Sequence, residues 1–107
     1  MNNQAIGLRS DELKAMVEIF RKNPKIEEVI LFGSRAKGSF SAGSDIDLAL
    51  KGEVLSLNDV LDASIALDQL DLPYSFDLVI FNRITDKSLL EHIQRVGISL
   101  FAQSPEN

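Results

Sequence analysis

Five residues combine types and spacing that could do chemistry: Asp45, Asp47, Asp77 and the pair Gly33-Ser34. Asp45-Ile46-Asp47 opens the alternating run DIDLAL, which reads as a strand. Side chains two apart on a strand point to the same face. Asp77 is the second residue of FDLVIF, an otherwise apolar run in which an unpaired charge is costly. Three carboxylates on one face would repel one another, and a divalent cation relieves both the repulsion and the isolation. An all-oxygen ligand set favours Mg²⁺, Mn²⁺ or Ca²⁺ over Zn²⁺. Three Asp side chains suffice for two ions about 3.5–4 Å apart, the separation used for in-line phosphoryl transfer.

Gly33-Ser34 supplies the complementary half. Glycine lets backbone approach a ligand closely, and serine adds a hydroxyl. A short helix starting at Ser34 would turn its N–H groups and dipole toward an anion. Arg35 and Lys37 bring positive charge nearby, with Arg35 the stronger candidate for a phosphate contact. A triphosphate could then rest its end on this turn with its α-phosphate over the metal ions. Taken singly, each piece has a plainer reading. Asp-x-Asp among Ser and Gly is commonly a solvated turn, Gly-Ser a loop, and a lone strand Asp an edge residue or salt-bridge partner. Their joint occurrence favours the site.

The elements that must position these residues follow from periodicity. Ser10 as N-cap, Asp11 and Glu12 in the first turn, and Leu13, Met16, Val17 and Phe20 as an apolar stripe predict a helix over about 10–22. Val29 to Phe32 predicts a buried strand, and 34–43 a turn or short helix followed by a loop. After the strand 45–50, Ser56 with Asp59 forms a capping-box variant, opening a helix to about 71. Strand 76–81 follows, then a helix capped by Thr85 or Asp86 and closed by Gly97, then a short strand at 98–101. The expected class is α/β (α+β), a sheet flanked by helices. The helix between the second and third strands implies that these are parallel. The connection between the first and second permits either sense. Only the antiparallel one brings Gly33-Ser34, Asp45, Asp47 and Asp77 to one sheet edge.

Composition sets the outer limits. At 107 residues, 45% hydrophobic and 25% charged, the chain suits a single globular domain, 1–107, with an ordered core at about 10–101 and loose ends at 1–7 and 103–107. Seven aromatics, none of them Trp, leave the core to Leu, Ile and Val. There is no run of 18 apolar residues, no basic-then-apolar start and no Cys, so a membrane span, a secretory signal and thiolate chemistry are not expected. A cytoplasmic location is the expectation. Eleven Lys and Arg against sixteen Asp and Glu give a net charge of −5, a poor balance for gripping nucleic acid directly.

LFGSRAKGSFSAGSDIDLAL resembles the signature of the DNA polymerase β-type nucleotidyltransferase superfamily, in particular its minimal members: Gly33-Ser34, ten residues, then Asp45-x-Asp47. Asp77 in FDLVIF matches the third acid of that pattern, and DKSLLEHIQRVGISLF resembles the closing helix and strand. The resemblance spans residues 10–101. It implies the nucleotidyltransferase fold, a small mixed sheet with flanking helices, two Mg²⁺ ions and an NTP donor, here ATP. Asp45 and Asp47 would hold both ions. Asp77 would hold the one activating the acceptor hydroxyl and help take its proton. Gly33, Ser34, Arg35 and Ser44 would contact the nucleotide, with Ser34 on the terminal phosphates. Positioning and charge neutralisation would supply most of the catalysis.

Larger relatives carry a helical domain for the acceptor, for which 107 residues leave no room. The acceptor surface is therefore expected on a partner, and the acidic charge favours a protein. Minimal nucleotidyltransferases of this pattern resemble the antitoxins paired with helical HEPN ribonuclease toxins, in which AMP passes from ATP to a toxin Tyr. The rival readings are a small-molecule hydroxyl held with a separate subunit, and a non-catalytic antitoxin acting by contact. His92 is read as a surface or packing residue rather than a general base, and Tyr74 as a structural residue ahead of the third strand.

Overall fold

The computed structural model describes residues 6–41 and 43–104. In chain order the elements are α1 (Ser10–Arg21), β1 (Glu28–Phe32), α2 (Gly33–Lys37), β2 (Ile46–Lys51), α3 (Leu57–Asp68), β3 (Phe76–Ile80), α4 (Lys87–Val96) and β4 (Ile98–Ala102). A 3-10 turn, Phe81–Arg83, links β3 to α4. The four strands form one sheet in the order β3-β2-β1-β4. β1 is antiparallel to β2 and β4, and β2 is parallel to β3. The fold is thus a small mixed α/β sheet with flanking helices, as expected.

The strands read as apolar on both faces because both are covered. Val29 and Leu31 of β1 and Ile46, Leu48 and Leu50 of β2 are completely buried in one cluster with Met16 and Phe20 of α1 and Ala63 and Leu67 of α3. The alternate residues, Phe32 of β1 and Ala49 of β2, pack with Ile93 and Leu89 of α4 on the opposite face. The two-residue period therefore assigns Asp47 to the α4 side of the sheet. Among the described residues no helix is long and apolar enough to cross a membrane.

Several element ends differ from expectation for identifiable reasons. Ser10 is the first helical residue of α1 rather than its cap. The Arg9 N–H donates instead to Glu12 Oε1 at 2.9 Å, and the Leu13 N–H already bonds the Arg9 carbonyl at 3.0 Å. α3 stops at Asp68, and the chain turns through Asp71 at φ +56° before Pro73. Asp86, not Thr85, caps α4, its Oδ1 accepting from the Ser88 N–H at 2.9 Å. Gly97 closes α4 without a left-handed conformation; a Cβ there would overlap the Ile93 carbonyl.

The ordered core also reaches beyond 10–101. Ile6 and Leu8 are buried, and the Gln103 amide donates to the carbonyls of Asn23 and Ile26. The remainder of the ends expected to be loose, 1–5 and 105–107, lies outside the described residues.

The cap of α3 is as the sequence predicts. Asp59 Oδ2 accepts from the Ser56 N–H at 2.8 Å and from its hydroxyl at 3.0 Å, while Asn23 donates to Oδ1 at 3.0 Å. The Ser56 amide is the main cause of a carboxyl pKa below its ordinary 3.8. A depressed carboxyl stabilises the fold fully above 3.8, and that contribution is lost as pH falls through the folded value. Asp59→Ala should therefore cost about 2 kcal/mol at pH 7. Chemical denaturation should show the difference from wild type shrinking below pH 3.8.

Candidate active site

The site is assembled at the strand ends by register. In the antiparallel pair Phe32 lies opposite Asp47, which brings the next residue, Gly33, to the same edge. In the parallel pair Asp47 lies directly beside Asp77. Paired residues of neighbouring strands share a face, so both carboxylates stand on the side that α4 covers further along. Asp45 precedes β2 by one residue and lies two before Asp47. Asp45 and Asp77 are exposed and Asp47 is half-buried.

The electrostatic effect of this grouping falls on Asp47. Burial first, then the charges of Asp77 and Asp45, push the Asp47 carboxyl above its ordinary value, with His92 opposing. The carboxylates share a face without closing on a point. Among the described residues no three His, Cys, Asp or Glu side chains are gathered closely enough to hold an ion as they stand. The donor chemistry nevertheless suits a hard divalent cation: oxygen ligands only, with mutual repulsion that a cation would relieve.

Gly33 meets two demands at once. Its φ of +76° lies in the left-handed region, and a Cβ there would overlap Asp47 Oδ2. The corner therefore fits against the carboxylate only because it lacks a side chain. The short helix begins one residue earlier than the expected Ser34, at Gly33, whose N–H donates to His92 Nε2 at 3.0 Å. The same ring meets Phe32 edge-on at 6.2 Å. His92 thus has the packing role expected of it and also a direct tie to the corner. The tie crosses 59 positions, and the only sequence signal was His92 lying three residues after Leu89 on the buried stripe of α4.

Ser34 sits half-buried as the second residue of α2, beside Gly33. Lys37 is exposed.

Arg35 is placed otherwise than expected. It is 2% exposed, and its guanidinium donates to the carbonyls of Ile6 at 3.0 Å and of Ser44 at 3.0 and 3.3 Å. Phe40 and Tyr74 each present a ring 4.9 Å from its central carbon. These donors are directed at backbone rather than at phosphate, because the neighbouring segments enclose the side chain. Ser44 is likewise a loop residue. Its hydroxyl accepts from the Ser41 N–H at 2.9 Å, and its carbonyl holds Arg35. Tyr74 has the structural role expected. Its hydroxyl donates to Glu12 Oε1 at 3.0 Å, and burial with that carboxylate raises its pKa.

A mixed sheet bearing a Gly-Ser corner against an Asp-x-Asp strand, with a third Asp in register, is the architecture of a nucleotidyltransferase domain. The family model described as Polymerase beta, Nucleotidyltransferase matches residues 14–106, and the chain belongs to that family. A solved toxin–antitoxin structure with AMP-PNP is similar at TM-score 0.69 and 26% identity, over 85% of this chain and 73% of that one. A structure of tri-AMPylated Shewanella oneidensis HEPN toxin in complex with MNT antitoxin is similar at TM-score 0.67 and 21% identity, over 90% and 74% of the two chains. A putative nucleotidyltransferase from Sulfolobus solfataricus shares the fold at TM-score 0.54 and 22% identity, over 96% and 91%. No curated protein sequence matches the chain.

Two outcomes follow from this geometry. A carboxyl whose folded pKa is raised opposes folding once ionised. The cost appears as pH rises through the ordinary 3.8 and is complete above the folded value. In chelator, Asp47→Asn should therefore melt at a higher temperature than wild type at pH 7, and the gain should vanish below 3.8. Gly33→Ala should disturb the Asp47 side chain as well as the corner, and calorimetry should record a lower melting temperature.

Proposed function

We propose that this chain transfers AMP from ATP, with Mg²⁺, to a hydroxyl of a partner protein. The acceptor is a Tyr of a helical HEPN ribonuclease, and the transfer silences that partner. The observation that carries the reading is the register: Asp47 lies beside Asp77, two residues from Asp45, with Gly33 packed against its carboxylate. The likeness to a toxin–antitoxin structure holding AMP-PNP, and to an MNT antitoxin bound to an AMPylated toxin, supports donor, product and partner. The net charge of −5 favours a protein acceptor over a nucleic-acid end.

In this reading Asp45 and Asp47 would hold two Mg²⁺ ions, and Asp77 would share in holding the one that activates the acceptor hydroxyl. Such ions would supply neutralisation of phosphate charge and help position the reacting groups. Ser34 contacts the terminal phosphates at the corner. The acceptor oxygen attacks the α-phosphorus, its bond to the bridging oxygen of the β-phosphate breaks, and pyrophosphate leaves. Asp77, exposed at the edge, receives the hydroxyl proton and passes it to water. Arg35 has no part in phosphate binding, since its donors are engaged by backbone.

The test is incubation of the purified chain with ATP labelled at the α-phosphate, Mg²⁺ and the product of the neighbouring gene. Label should appear on a partner Tyr, and Asp47→Ala should abolish both labelling and neutralisation. Absence of label under conditions in which the partner is neutralised would remove the transfer reading. Neutralisation that survives Asp47→Ala would make the chain a contact inhibitor.

A further inference from the structure

Among the described residues Arg35 is the largest fully buried side chain, and transfer chemistry leaves it without a task. Burying a guanidinium is costly unless its donors are satisfied, and here two separate segments satisfy them. Nη1 donates to the carbonyls of Ile6 at 3.0 Å and Gly7 at 3.4 Å. Nη2 and Nε both donate to the Ser44 carbonyl, at 3.0 and 3.3 Å. The Phe40 and Tyr74 rings lie within cation–π range. The surroundings are shaped to admit the group. Gly7 has φ +74°, and a Cβ there would stand 2.6 Å from Arg35 Nη1 and 2.5 Å from Phe40 Cε2.

The position of the grip matters. Ser44 immediately precedes Asp45, so two donors on the Ser44 carbonyl fix the peptide plane through which the chain enters Asp45-Ile46-Asp47. Arg35 itself follows Ser34 on α2. One side chain therefore spans the loop from the Gly-Ser corner to the first acid. A planar fork reaches one carbonyl with two nitrogens; a lysine ammonium, a single nitrogen, does not.

We propose that Arg35 is a positioning residue that, through the Ser44 carbonyl, holds Asp45 and Asp47 in the geometry in which they take a divalent cation at the Gly33-Ser34 corner. This rests on the reading of Asp45 and Asp47 as cation ligands. Arg35 touches neither cation nor nucleotide, and its effect passes through backbone.

The test is Mn²⁺ binding to the full chain, followed by electron paramagnetic resonance with a non-hydrolysable ATP analogue present, well below every variant's melting temperature. Arg35→Lys should weaken Mn²⁺ binding roughly tenfold, the scale seen when a group supporting a metal ligand is lost. Asp59→Ala, whose cap lies on α3, should lose stability yet bind Mn²⁺ as wild type does. Wild-type Mn²⁺ affinity in Arg35→Lys, with binding lost in Asp45→Asn, overturns the proposal and leaves the site reading standing. Undiminished Mn²⁺ binding in both Asp45→Asn and Asp47→Asn overturns the site reading itself, and this proposal with it. Should Arg35→Lys not melt cooperatively, Phe40→Leu keeps the hydrogen bonds and removes one ring. It should weaken Mn²⁺ binding in the same direction by a smaller factor, and unchanged affinity there equally overturns the proposal.

Discussion

The arrangement depends on like charges held together by strand pairing. Asp47 lies beside Asp77 because Leu48 lies beside Leu78 and Ala49 beside Val79. A slip of one residue would turn every side chain of β2 to the other face and bury Asp47 where Leu48 now packs. The apolar pairing thus forces the acids into proximity, and burial first, then the neighbouring charges, push the Asp47 carboxyl above its ordinary value. The core supplies the energy that holds the site in a condition it would otherwise leave.

Much of this was legible in the sequence, for a physical reason. Alternation along DIDLAL and the break in FDLVIF by Asp77 are local signals, and the strand period converts them directly into faces. The direction of β1 was not legible, since its connection to β2 permits either sense. The structure selects the antiparallel one, with Val29 opposite Leu50 and Leu31 opposite Leu48. The parallel β2–β3 pair follows from the helix between them and was as expected.

What stayed hidden is what depends on remote partners. Arg35 beside a Gly-Ser corner reads as a phosphate ligand by type alone. Its burial depends on Ile6, Phe40, Ser44 and Tyr74, which no local period brings together. His92 meets Gly33 only because α4 packs over Phe32 and Ala49. Ser10 looks like a cap by residue type, but the buried Glu12 accepts from the Tyr74 hydroxyl and from the Arg9 N–H, moving the helix start by one residue. In each case tertiary packing chose among options that were locally equivalent.

Gly33 carries a last consequence. The spacing between the corner and the Asp47 carboxylate is set by atomic contact, backbone against oxygen, with no side chain between them. Such a gap cannot be narrowed, and no substitution could widen it by a small step, because the least addition is a whole methyl group. The position therefore behaves as a mechanical stop that tolerates no graded change.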